Sequence, residues 1–211
     1  RALPIFSCSA HGAHTSSYID KNEIDDRAEM YFDWSKKRVQ QRINIYKKKK
    51  SYTITHPWIY YRKKYIGSPL KNRTGLLYFF PHSNKEIELS NDRLDKLIKL
   101  LKLLGKKYGG VTICLSSHDI EKDIHKKLRK YSIPLVTAGN TGCHKFVDRF
   151  YKLIYGFKYT CSSAIGSHVY YSIEAGIPHF IIKSKFKYKL VKSNKIYTYN
   201  QIMKIKQHKN E

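Results

Sequence analysis

Acidic residues are scarce in this chain. Sixteen Asp and Glu face 41 Lys and Arg among 211 residues, a formal net charge of +25. Such a field needs negative charge to meet: nucleic acid, anionic lipid headgroups or a phosphorylated substrate. A genome biased toward Lys, Tyr and Asn produces the same excess with no partner at all. Only four cysteines occur, Cys8, Cys114, Cys143 and Cys161, and no two form a CxxC pair. That argues against a zinc site. Cys114 and Cys161 fall in apolar runs as small hydrophobes, which fits a reducing, cytoplasmic compartment. No run approaches the roughly 20 apolar residues of a membrane span. GxxxxGK[ST], GxGxxG, HExxH and GxSxG are all missing. P-loop nucleotide binding, zincin chemistry and the serine-elbow hydrolases are thereby disfavoured.

Hydrophobic residues make up 41% of the chain and aromatics 14%. That is ample for a packed core of one or two domains. The chain opens at Arg1 and runs directly into an apolar, strand-like segment, Leu3 to Cys8, so we read it as lacking an upstream part. Residues 1–74 are irregular. Glu23 to Arg42 reads as a helix, Lys47 to Lys50 as an exposed run, and His56-Pro57-Trp58 and Ser68-Pro69 as turns.

From Gly75 to Lys183 short apolar runs alternate with helical stripes. Gly75 to Pro81, Val111 to Leu115, Ile133 to Thr137, Lys158 to Ser162 and Pro178 to Ile182 read as strands. Asp92 to Lys107, Asp119 to Tyr131, His144 to Tyr155 and Ser167 to Ala175 read as helices. Continuous apolar strands between amphipathic helices predict an α/β fold: a doubly wound, Rossmann-like parallel sheet with helices on both faces. From Lys183 to Glu211 the sequence has nine lysines and one acid, and reads as a solvated basic tail from 184 onward, with docking on a membrane surface or a partner as the alternative.

In such sheets ligands bind beyond the carboxyl ends of the strands. The loops there read Pro81-His82-Ser83, Ser116-Ser117-His118-Asp119, Ala138-Gly139-Asn140, Ser162-Ser163 and Ile165-Gly166-Ser167-His168. Each alone is ordinary turn chemistry; five at one edge suggest a site. The sharpest motif is GSHVYYSIEAGIP, Gly166 to Pro178. Its Gly-Ser turn opens a helix whose unpaired N–H groups and dipole attract phosphate. Glu174, seven residues on, offers a carboxylate for ribose hydroxyls.

Gly166, Ser167, Glu174, Gly176 and Pro178 resemble the donor-binding half of GT-B glycosyltransferases and of the related non-hydrolysing sugar-nucleotide epimerases. LVTAG at Leu135 to Gly139, Asp148-Arg149-Phe150, SSAIGSH at Ser162 to His168 and GIPH at Gly176 to His179 resemble bacterial surface-polysaccharide (capsule or lipopolysaccharide) proteins of that kind. Ser9 to Gly12, Trp34-Ser35 and His56-Pro57-Trp58 look like the partial N-terminal or hinge-side region of the same family. The resemblance implies a GT-B C-terminal half that transfers sugar from a nucleotide sugar to a polysaccharide or lipid-linked acceptor. It implies no metal and no cofactor besides that substrate, and peripheral location at the inner face of the plasma membrane. Ser117, His118, Gly139, Arg149, Gly166, Ser167, His168 and Glu174 would hold the donor, and His11 would be the catalytic base. His179 is equally a core histidine. A nucleic-acid binder is the main rival, supported by the Lys- and Tyr-rich stretch from Lys47 to Lys64. An epimerase and a degenerate structural domain are the others.

Overall fold

The structure is a computed structural model. It describes residues 7–9, 19, 28–47, 49–69, 71–81, 87–89, 94–183, 187–190, 195–198 and 201. The chain divides into two compact units, with the boundary between Lys64 and Tyr65.

The first unit holds a parallel three-stranded sheet, ordered β1 (Ser7–Ser9), β2 (Met30–Asp33) and β3 (Lys50–Thr53). α1 (Lys36–Ile45) and α2 (Pro57–Tyr61) belong to it. The single helix expected over Glu23 to Arg42 is therefore incorrect. Residues 23–27 lie outside the described ones, and Met-Tyr-Phe-Asp pairs as the central strand before α1 begins. The switch is made by Asp33. Its Oδ1 accepts from the N–H groups of Trp34 (2.8 Å) and Ser35 (3.3 Å), and its Oδ2 accepts from Arg38 Nε (2.8 Å). Arg42, equally buried, lies 3.7 Å from the same oxygen and covers the Tyr31 ring at 4.9 Å. Removing one partner of a buried pair of this kind costs about 3–5 kcal/mol. The turn expected at His56-Pro57-Trp58 is the start of α2. His56 Nδ1 accepts from Trp58 N (3.1 Å), and Pro57 fills the first helical position.

The second unit is α/β. Its five-stranded sheet is parallel throughout, ordered β7 (Leu135–Thr137), β6 (Val111–Leu115), β4 (Thr74–Phe79), β8 (Phe157–Ser162), β9 (His179–Ile181). Numbered along the chain this order is 3-2-1-4-5, with its reversal between β4 and β8. β4 is buried along nearly its whole length. Leu76, Tyr78 and Phe80 pack with Leu97, Ile98 and Leu101 of α3 (Leu94–Tyr108) and with Leu128 of α5 (Ile124–Arg129). On the other side the Phe79 ring stacks 6.0 Å from Phe150 of α6 (Phe146–Tyr155). Alternation along one strand thus feeds helices on both faces, as a period of two requires. α7 (Ser167–Glu174) connects β8 to β9.

Two expectations fail in this unit. The helix read over Asp119 to Tyr131 is two helices, α4 (Ser117–Glu121) and α5. Asp123 between them is left-handed, φ 57°, a conformation that short polar side chains tolerate better than most. The tail expected to be solvated carries β10 (Lys187–Leu190) and β11 (Ile196–Thr198). They pair antiparallel with each other, and β10 pairs with β5 (Ile87–Leu89). Tyr188 is buried in the α3-side core, which anchors that hairpin.

Candidate functional site

Parallel strands share one carboxyl edge, and the loops after β6, β7 and β8 leave the sheet there; His82 and Ser83 of the loop after β4 lie outside the described residues. Three described helices start there, and they start differently. α4 opens on a capping box. Ser116 Oγ accepts from Asp119 N (3.3 Å), and Asp119 Oδ2 accepts from Ser116 N (3.0 Å) and Ser116 Oγ (2.7 Å). This end is satisfied by its own side chains. Ser117 and His118 are its first residues. His118 Nδ1 meets Glu121 Oε2 at 3.3 Å on the surface rather than reaching toward a ligand.

α6 follows the loop from Ala138. Gly139 sits at φ +87°, and a Cβ there would lie 3.0 Å from an Arg149 guanidinium nitrogen. The structure therefore brings Gly139 and Arg149 together, and a larger residue there would be strained by its φ and would press on that guanidinium. Cys143 joins them. The Lys145 N–H first, then the Arg149 guanidinium, stabilise its thiolate and lower its pKa. The thiols of Cys114 and Cys161 go the other way, pushed up to about 12 by burial.

α7 begins at the carboxyl end of β8, beside the reversal. No side chain caps it, and Gly166 at its N-cap is fully extended. A Cβ on Gly166 would meet the His168 ring at 2.9 Å and push it aside, so glycine lets that ring lie over the turn. The His168 ring lies 4.6 Å from Phe79 and 5.8 Å from His179. Gly166, Ser167 and His168 thus gather at one point, with Phe79 as floor. Glu174 does not join them. It is the last residue of α7, seven residues and so about 10 Å along the axis from Ser167. His11 lies outside the described residues.

Sequence reasoning left His179 undecided, and the geometry decides its state. Ser162 Oγ donates to Ala164 O (2.7 Å), so it accepts from His179 Nε2 (3.1 Å). His179 Nδ1, left without a proton, accepts from Thr160 Oγ1 (2.9 Å). Burial drives the ring's pKa down to about 4. His179 is a neutral, fully bonded histidine that fixes Thr160 and Ser162 below the edge. The missed signal was hydroxyls at alternate positions of β8, on the face that meets the neighbouring His. Tyr78 Oη and Ser163 Oγ, 2.6 Å apart, tie the reversal shut between β4 and the loop after β8.

An open cavity of about 650 Å³ lies beside β7, lined among others by Leu115, His125, Arg129 and Val136. It contains none of the residues expected to hold a donor. Among the described residues no group of three or more His, Cys, Asp and Glu is placed to hold a metal ion. No helix among them is long and apolar enough to cross a membrane. Compared with known protein families and curated proteins, the chain matches no family model and no curated protein.

Proposed function

We propose that the second unit binds the diphosphate of a nucleotide sugar at the N-terminus of α7, and that it serves as the donor-binding half of a GT-B-type glycosyltransferase acting on a polysaccharide or lipid-linked acceptor. One observation carries the reading. Of the helix starts described at this edge, α4 closes on its own capping box, whereas α6 and α7 carry no side-chain cap. Of these two, α7 stands next to the strand-order reversal and has an extended glycine as its N-cap. A helix start beside such a reversal favours a bound anion through the helix dipole and the N–H groups that point along it. Arg149 supplies a cation from the neighbouring helix, α6. Glu174, about 10 Å down α7, is not given the ribose in this reading.

The test uses Ser167→Asp. A carboxylate in the first turn favours the helix by about 0.3–1 kcal/mol, yet it repels a phosphate. The free variant should therefore melt at or above the parent temperature. The parent should gain stability with one of UDP, GDP, CMP or TDP, by about 2.7 kcal/mol at a hundredfold excess over Kd, and the variant should not. Transfer of labelled sugar to an acceptor extract then distinguishes a transferase from an epimerase, which returns an altered sugar nucleotide. A parent chain that none of the four nucleotides stabilises refutes the proposal.

A further inference from the structure

The positive charge of the second unit is not spread evenly over its two helical layers. α6 and α7 together carry Arg149 and Lys152 against Asp148 and Glu174, a balance of zero. α3 alone carries Lys96, Lys99, Lys102, Lys106 and Lys107 against Asp95, and all five lysines are exposed. α5 adds Lys126, Lys127 and Arg129, exposed as well, and Lys130 follows. α3 and α5 lie in one layer: Leu97, Leu101 and Leu128 share a core, and Tyr131 donates to Asp95. One layer is thus strongly basic and the other neutral.

The outer surface of α3 is also not purely polar. Leu103 is 64% exposed and Leu100 36%. On a helix the neighbours of a residue are those three and four positions away. For Leu103 these are Lys99, Leu100, Lys106 and Lys107. A solvent-exposed leucine pair thus stands at the centre of a ring of lysines. We infer that the α3 layer docks on an anionic lipid bilayer: Leu103 and Leu100 enter the boundary between headgroups and acyl chains, and the surrounding lysines meet lipid phosphates. Long lysine stems let the ammonium groups stay at headgroup level while the leucines go deeper. Each basic residue held near an anionic leaflet strengthens binding several-fold.

Nucleic acid satisfies the lysines but not the leucines. Protein surfaces that hold single strands offer free aromatic faces. Neither described tyrosine here offers one: Tyr131 is covered by Lys130 at 4.8 Å and tied to Asp95 through its hydroxyl, and half-buried Tyr108 packs on Tyr159 and Phe180 with Lys107 over it at 5.4 Å. This inference goes beyond the nucleotide reading and stands without it.

The experiment is sedimentation of the full chain with vesicles of phosphatidylcholine, with and without phosphatidylglycerol. Binding should require phosphatidylglycerol and weaken with salt. Reversing Lys99, Lys106 and Lys107 to Glu should lower it by about 100-fold or more. Reversing three exposed lysines of the first unit, Lys36, Lys37 and Lys47, should change it far less for the same change in net charge. Leu103→Ser should weaken binding and leave its salt dependence intact. All these side chains are exposed, so melting temperatures should be unchanged. Three results would each overturn the inference. They are no binding to the mixed vesicles, equal losses from the two triple reversals, and capture of oligonucleotides but not vesicles through the α3 lysines.

Discussion

At the scale of single residues, His179 makes the sharpest prediction. In the unfolded chain its ring titrates near 6.5, and in the fold not until about 4. The unfolded state therefore takes up the proton first. The stability that the neutral ring contributes is complete above about pH 6.5 and falls away as pH drops toward 4. The ring is partly solvated, so the loss is about 1–2 kcal/mol rather than the full linkage value. His179→Gln should flatten the melting-temperature profile between those pH values while leaving the acid limb below it. The state of this ring was not legible beforehand. His179 follows a proline at a strand start, and only the pairing of β8 with β9 sets Thr160 and Ser162 around it. Gly139 and Gly166 were legible as glycines of a loop edge. What each makes room for, Arg149 in one case and the His168 ring in the other, depends on how the following helix turns back over its loop.

At the scale of elements, α3 was the most readable. Leu94, Leu97, Ile98, Leu101 and Leu104 recur at helical spacing, and of these the first four are buried while Leu104 is half-buried. Leu101 has no exposed surface. Leu101→Ala should cost about 2–5 kcal/mol in urea unfolding, and a loss below 1 kcal/mol would mean that α3 is not packed as described. Misreadings arose where two signals competed. In Glu23 to Arg42 a charged stretch imitates one helix, whereas Asp33 accepts two successive backbone N–H groups and restarts the chain. In the C-terminal segment, lysine abundance hid a period of two. Lys187, Tyr188, Lys189 and Leu190 alternate as a half-buried strand does, and Tyr188 reaches the core.

At the scale of the whole molecule, alternation along the chain was enough to give the parallel sheet and its carboxyl edge. Strand order follows from it only through the rules for short right-handed crossovers. The placement of β4 has a consequence for biosynthesis. It is the first strand of the second unit to be made, yet it lies at the middle of the finished sheet. β6 can cover one of its edges after about 35 residues. Its other edge waits for β8: Thr74 pairs with Phe157, roughly 80 residues later. At about 5–20 residues per second that is on the order of 4–16 s of ribosome time. Throughout that interval a strand of Leu, Leu, Tyr and Phe presents an open ladder, the template on which chains join edge to edge. Chains stopped just before Phe157 should accordingly sediment as aggregates, whereas chains carried through Ile182 should stay in the supernatant.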